Sequence, residues 1–273
     1  MTVWITGASS GLGLHTARAL RDAGHTVIAG ARSFHPGHED GLYRLPLDVT
    51  EEGSIAAFCR SALRLSPRVD ALVHCAGLLV LGSCEETSPA EYLRVMDTNF
   101  LGMVRMNQAA LPTMRAQGQG RIVMFSSING LMGIPFQSAY TASKHAVEGY
   151  AECLSMEVRP FGVQVCLVEP GDHRSGSGRY RLQASAMGDA SPYAEDFRRG
   201  TAAIRRDEAN GSDPDALGRK VAALLSRKRM PLRKCIASPD QLGAALMHRL
   251  LPGNAFSGLI RRYYLGKLRS RTR

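Results

Sequence analysis

Thr2-Val3-Trp4-Ile5-Thr6-Gly7-Ala8-Ser9-Ser10-Gly11-Leu12-Gly13 is the stretch that decides the fold. A short apolar, β-rich run feeds directly into a glycine-rich turn, and a helical pattern over 12–23 begins where the turn ends. Glycine permits the tight turn and lets backbone N–H groups approach a pyrophosphate, while the helix N-terminus adds partial positive charge. Gly7, Ser9, Ser10, Gly11, Leu12 and Gly13 are therefore the candidate phosphate cradle. The spacing is Gly-x3-Gly-x-Gly, and the Lys-Ser/Thr ending of a P-loop is absent. An ordinary strand–helix connection is the plain alternative for the same residues.

Working outward, further buried strands are expected at Thr26–Ala31, Tyr43–Leu47, Ala71–His74, Arg121–Phe125 and Val163–Val168, and a short last one at Cys235–Ala237. Helical patterns fall between them near 12–23, 52–65, 89–117 and 139–159, with Pro112 expected to bend or interrupt the third. Strand–helix alternation predicts an α/β fold: a Rossmann-type, doubly wound parallel sheet covered on both faces, with ligands beyond the strands' carboxyl ends. Residues 171–212 lack strong periodicity and read as a substrate lid, with disorder as the alternative. Helical pattern resumes over Pro214–Arg227, with Ser212 or Asp213 as its cap, and returns at 239–250 and 255–268. One domain over 1–273 is expected, with a basic C-terminal helical extension over about 239–273.

The chain of 273 residues carries 44% hydrophobic and 21% charged residues, ordinary globular proportions. Its net charge of +10 is uneven: residues 1–197 carry 16 Lys/Arg and 19 Asp/Glu, whereas 198–273 carry 18 and 5. A basic C-terminal surface is expected rather than a nucleic-acid-binding fold. Six scattered cysteines without paired spacing read as reduced thiols, and no metal site is expected. No secretory pattern opens the chain and no run approaches the ~20 apolar residues of a membrane span, so a cytoplasmic location is expected.

Two further places carry chemistry. At the end of the second strand, Ala31-Arg32-Ser33 has no acid to accept from a ribose 2′-hydroxyl, and Arg32 can fork onto a 2′-phosphate. NADP(H) is therefore the expected cofactor; a solvated surface arginine is the alternative. In Tyr140-Thr141-Ala142-Ser143-Lys144 a four-residue helical step brings phenol and ammonium to one face, where the cation should lower a phenol pKa that starts near ~10. Such a phenol can exchange a proton with an alcohol or carbonyl oxygen near neutral pH. Tyr-x3-Lys arises by chance in roughly a third to a half of chains this long, so its context must decide.

That context is Ser127, 13 residues before Tyr140, and Asp97-Thr98-Asn99 upstream. With the glycine turn, these motifs make the chain similar to the short-chain dehydrogenase/reductase superfamily, in its shorter branch, over roughly residues 1–176. The resemblance implies a catalytic tetrad of Asn99, Ser127, Tyr140 and Lys144, with Asn99 holding a helix distortion and Lys144 the nicotinamide ribose. It implies Asp48, beside Val49, on the adenine; on residues alone Asp48 could equally cap the helix before Glu51 and Glu52. Ala76 and Gly77, and Pro170 and Gly171, are implied to shape the cofactor site. His74-Cys75 stands where the family has Asn-Asn, and Ser175 where it has Thr. Packing is the expected role of His74, and a solvated or lid-packing role that of His173.

The implied activity is NADP(H)-dependent interconversion of a carbonyl and an alcohol. A catalytically silent nucleotide-binding regulator or scaffold on the same fold is the alternative, and an epimerase or dehydratase ranks lower. Leu78, Leu79, Leu131, Met132, Phe136, Met187, Tyr193 and Phe197 are candidate pocket residues. Together with Tyr140–Gly162 and Glu169-Pro170-Gly171, which look similar to hydroxysteroid and retinol dehydrogenases, they imply a bulky lipophilic substrate. The resemblance also implies a homodimer or homotetramer. In the tail, Phe256, Leu259, Ile260, Tyr263 and Leu268 share one helical face, with Arg261, Arg262, Lys267 and Arg269 around the rest. A helix of that kind either docks on its own core or a partner subunit, or lies on an anionic membrane surface.

Overall fold

Every residue of β1 (Thr2–Thr6) is buried, because alternate side chains serve two different cores. Val3 and Ile5 pack with Ala17, Leu20, Leu217 and Val221 on one face; Trp4 packs with Phe58, Met106 and Ile122 on the other. The computed structural model describes residues 1–39 and 41–267. Leu268 and Arg269, assigned above to the tail helix, lie outside the described residues.

After β1 come α1 (Gly11–Asp22), β2 (Thr26–Ala31), β3 (Gly37–Glu39), β4 (Leu42–Pro46), α2 (Glu52–Leu65), β5 (Ala71–His74) and β6 (Val80–Leu81). Then follow α3 (Pro89–Met96), a π turn (Asp97–Leu101), α4 (Gly102–Ala116), β7 (Gly120–Phe125), α5 (Ser138–Glu157), β8 (Val163–Pro170) and β9 (Leu182–Gln183). The chain closes with α6 (Ala194–Ala209), α7 (Pro214–Leu225), β10 (Arg233–Ile236), α8 (Pro239–Leu250) and α9 (Gly253–Leu265).

The main sheet runs β10-β8-β7-β5-β1-β2-β4-β3, parallel throughout except for the β3–β4 edge. This is the expected doubly wound α/β architecture. The order reverses between β1 and β5, so a crevice opens beyond their carboxyl ends. Thr6 pairs with both Gly30 and His74, and this register brings the turns after β1, β2 and β5 level at one rim.

Several details depart from expectation. The long 89–117 helix is divided by the π turn at Asp97–Leu101, while Pro112 sits inside α4 without interrupting it. The 171–212 segment holds a 16-residue helix, α6. Its inward face uses small residues (Ala194, Gly200, Thr201, Ala203) around Phe197 and Ile204, so sequence hydrophobicity barely marks it. The β3 strand and the small β6–β9 sheet had no sequence signal strong enough to read. Of the two candidate caps before α7, Asp213 accepts from the Asp215 and Ala216 amides.

At the β8–β10 edge, Glu148 and Glu169 are buried together around Arg233, whose Nε lies 3.0 and 3.4 Å from them. Burial and the Glu148 charge push the Glu169 carboxyl up to about 7. The folded protein therefore keeps a proton there that the unfolded chain releases near 4.5, and stability falls as pH rises through that window. Glu169→Gln should flatten the decline of Tm between pH 4.5 and about 7; a thermal-unfolding series with an unchanged slope would contradict this.

Candidate active site

The cofactor end of the crevice is shaped by what its glycines exclude. A Cβ on Gly7 (φ +69) would stand 2.5 Å from the Ala76 backbone, and one on Gly13 would stand 2.2 Å from the Gly7 carbonyl. Gly11 (φ +55) needs glycine for its backbone alone, since a Cβ there would meet open space. Ser10 is the N-cap of α1 yet makes no side-chain bond to the helix amides. These amides face a cleft of about 600 Å³ lined by Gly7, Ser9, Ser10, Gly11, Leu12, Gly13, Arg32, Asp48, Val49, Ala76, Gly77, Pro170 and Gly171. An uncapped, glycine-floored helix end fits a pyrophosphate.

Arg32 is exposed on the cleft rim beyond β2. Asp48 Oδ1 accepts from the Thr50 amide (2.9 Å) and hydroxyl (2.7 Å), while the N-cap of α2 is Glu51. The helix-cap alternative for Asp48 is thus replaced by a local turn bond. Burial opposes its ionisation, but the Thr50 bonds and the Arg32 charge outweigh it and hold the carboxyl below its usual value.

At the other end Ser127, Tyr140 and Lys144 line the same cleft. Lys144 is only 4% exposed, and its Nζ donates to the Phe125 carbonyl at 2.7 Å. Burial pulls its pKa down to about 8 despite the opposing influence of Cys75 and Glu148. The ammonium lies 5.4 Å from the centre of the Tyr140 ring. Tyr140 nonetheless departs from expectation: burial pushes its phenol up, opposed by a hydrogen bond with Ser127 and by Arg181, not by Lys144. Ser127 also caps the turn Ile128–Gly130, accepting from the Asn129 amide at 3.2 Å, so its structural and site roles coexist. Ser126 also lines the cleft, but its buried Oγ has no hydrogen-bond partner among the described residues.

Asn99 is fully buried in the π turn rather than solvated. Its Oδ1 accepts from the Leu78 amide (2.6 Å), and its Nδ2 donates to the Leu78 carbonyl (2.9 Å) and the Ser143 hydroxyl (2.9 Å). One side chain thus ties the loop after β5 to the helix bearing Tyr140 and Lys144.

The substrate side differs most from expectation. Leu78 and Leu79 line the cleft, but Leu131, Met132, Phe136, Met187, Tyr193 and Phe197 do not. Phe136, Met187, Tyr193 and Phe197 instead join the core that holds the lid, with the Phe136 and Phe197 rings edge-to-face at 5.3 Å. Phe136 does so at φ +64, a strained backbone for a bulky residue. Ile134, Leu182, Ile204 and Tyr264 take their place, beside Asp172, Arg181 and Glu208. Arg181 and Glu208 form a nearly buried ion pair. Burial and Asp207 push the Asp172 carboxyl up to about 6, against a Gln241 bond and Arg181.

A short chain dehydrogenase family profile matches residues 1–183. The chain is 38% identical, over 96% of its length and 97% of the relative's, to a protein of Bacteroides thetaiotaomicron named 3-ketodihydrosphingosine reductase. The chain belongs to the short-chain dehydrogenase/reductase family. Dehydrogenase/reductase SDR family member 7B of Bos taurus is 31% identical, over 93% of this chain and 78% of that one. A short-chain dehydrogenase crystal structure from Streptomyces avermitilis superposes with a TM-score of 0.81 at 32% identity, covering 96% of this chain and 95% of that one.

At the place where this short-chain dehydrogenase departs from the Asn-Asn pattern, His74 is buried and bonded through Nε2 to Asn107 Oδ1 at 2.9 Å. Burial lowers its pKa to about 4, so it is a neutral packing group. His173 is buried against the lid, its backbone bridged to Ser212. Arg181, Glu208 and Tyr264 escaped sequence reading because their neighbours lie far along the chain. Asn99→Ala would leave the Leu78 amide, the Leu78 carbonyl and the Ser143 hydroxyl short of a partner; at ~1–3 kcal/mol per orphaned group, a Tm loss of several degrees is expected in calorimetry. A Tm within one degree of the parent (about the resolution of such a scan) would show that Asn99 is dispensable.

Proposed function

We propose that this chain is an NADP(H)-dependent reductase of a ketone on a long-chain lipophilic substrate, with Tyr140 as proton donor. The observation that carries the reading is the meeting of Ser127, Tyr140 and Lys144 in the cleft floored by the glycine turn, with the Lys144 ammonium 5.4 Å from the centre of the Tyr140 ring. When bound, the nicotinamide supplies the hydride. Tyr140 holds its proton at Oη and delivers it to the carbonyl oxygen as that oxygen becomes an alkoxide. The upward push on its pKa suits a group that must arrive protonated. Ser127 donates to the same oxygen and steadies the developing charge. Lys144, cationic below about 8, holds the ribose hydroxyls and keeps positive potential beside the phenol. Asn99 positions the helix carrying both.

NADP(H) is supported by Arg32 on the rim, where a 2′-phosphate would meet a guanidinium and no carboxylate precedes Glu39. The substrate class is supported by the relative named for 3-ketodihydrosphingosine, a long-chain amino ketone. Leu78, Leu79, Leu182 and Ile204 offer apolar wall to an alkyl chain, and Asp172 and Glu208, steadied by Arg181, offer carboxylates to an ammonium. A silent nucleotide-binding scaffold would have no use for this convergence of Asn99, Ser127, Tyr140 and Lys144.

Tyr140→Phe should abolish NADPH oxidation by long-chain ketones while leaving NADPH binding by fluorescence intact; retained turnover would end the mechanism. Arg32→Ala should raise KM for NADPH far more than for NADH, and equal losses would remove the cofactor preference. With Asp172 protonating below about 6, KM for an amino ketone should climb as pH falls through that value, while KM for a neutral long-chain ketone stays flat. Parallel profiles would separate Asp172 from amine recognition.

A further inference from the structure

The C-terminal hairpin of α8 and α9 presents two unlike sides. Its inner side is built into the protein: Ala244, Leu251, Phe256 and Ile260 pack with Met132 and Ile134, Gln241 bonds to Asp172, and Tyr264 lines the cleft. Its outer side is apolar and open. No residue of α8 is buried, and Leu242, Leu246 and Leu250 recur every four residues at 42%, 58% and 72% exposure, with Met247 alongside at 43%. On α9, Leu259 is likewise half exposed, whereas the Tyr263 hydroxyl is held by Arg206 and Asp207 of α6. A row of leucines facing water on an ordered helix marks a docking surface rather than scattered surface apolarity.

Charge identifies what docks. From Gln241 to the end of the sequence there are seven Lys/Arg and no Asp/Glu. Arg249 and Arg262 are exposed within the hairpin, and Lys267 is exposed just after it. A second copy meeting this face through a two-fold axis would oppose like charges across an apolar contact. An anionic lipid surface takes both features at once, the leucines entering the acyl boundary and the cations meeting phosphate headgroups. No helix among the described residues is long and apolar enough to cross a membrane, so the contact is peripheral. We propose that the outer face of the α8–α9 hairpin is a membrane-docking surface for anionic lipid. The same hairpin walls the cleft through Tyr264 and bonds the cleft residue Asp172 through Gln241, so docking sets the substrate entrance at the bilayer. The docking itself does not rest on the reductase reading.

The test is co-sedimentation of the full chain with sucrose-loaded vesicles, either pure phosphatidylcholine or an equal mixture with phosphatidylglycerol. The parent protein should pellet with the mixed vesicles and stay in solution with the neutral ones. Leu242→Glu, Leu246→Glu and Leu250→Glu together should cut pelleting by about tenfold at unchanged Tm, because all three positions are exposed. Should that triple variant fold poorly, Leu250→Glu alone gives the same comparison. Replacing Arg249, Arg262 and Lys267 with Gln should erase the preference for anionic lipid. Equal pelleting of parent and leucine variants would overturn the proposal, as would no pelleting of the parent. A parent oligomer dissolved by the leucine changes in light scattering would also overturn it, since the face would then join copies of the chain.

Discussion

A primary ammonium buried to 4% exposure constrains everything around it. Removing Lys144 from water costs several kcal/mol unless its hydrogens are met, and the carbonyl of Phe125 meets one of them at 2.7 Å. That bond requires the end of β7 and the first turns of α5 to keep a fixed distance. The residual cost appears as a pKa drawn down to about 8, so the charge is held close to the point of loss. Tyr140, one helical turn earlier, is thereby set at the same crevice.

The parallel sheet supplies the frame for this constraint. Because β1, β2, β5, β7 and β8 end level, the glycine turn, the Arg32 rim, the Ala76-Gly77 loop, Ser127 and Pro170-Gly171 converge although they are far apart in sequence. Two polar locks then fix the parts that sheet register cannot. Asn99, freed by the π turn to point inward, holds the Leu78 backbone and Ser143; Ser127 caps a short turn while lining the cleft with Tyr140. Both side chains combine a structural bond with a position at the site.

Much of this was legible in the chain itself. β1, the glycine turn and the Tyr140–Lys144 step follow from local pattern, and the strand–helix rhythm predicts the sheet. Legibility failed where the signal was weak or the partner remote. The inward face of α6 is read through glycine, alanine and threonine, which carry little hydrophobic contrast. The proposed pocket aromatics Phe136 and Phe197 are spent on each other, holding the lid, while Arg181 and Glu208 meet across 27 residues with no local cue. The Tyr140 shift runs upward against the sequence expectation because spacing reveals the nearby cation but not the depth of burial, which dominates. The sequence pattern marks a single apolar face on the tail helix; in the structure α9 is seated by Phe256 and Leu265, and the open apolar row belongs mainly to α8.

A buried ammonium, held at the edge of neutrality, organises the site. The chain has five lysines, and Lys220, Lys228, Lys234 and Lys267 are exposed. A pH titration of the lysine 13Cε signals by NMR, with Lys144→Arg to assign the buried one, reads the claim directly. The signal that Lys144→Arg removes should titrate at about 8. That signal titrating at 10.5 would contradict a charge drawn down by burial.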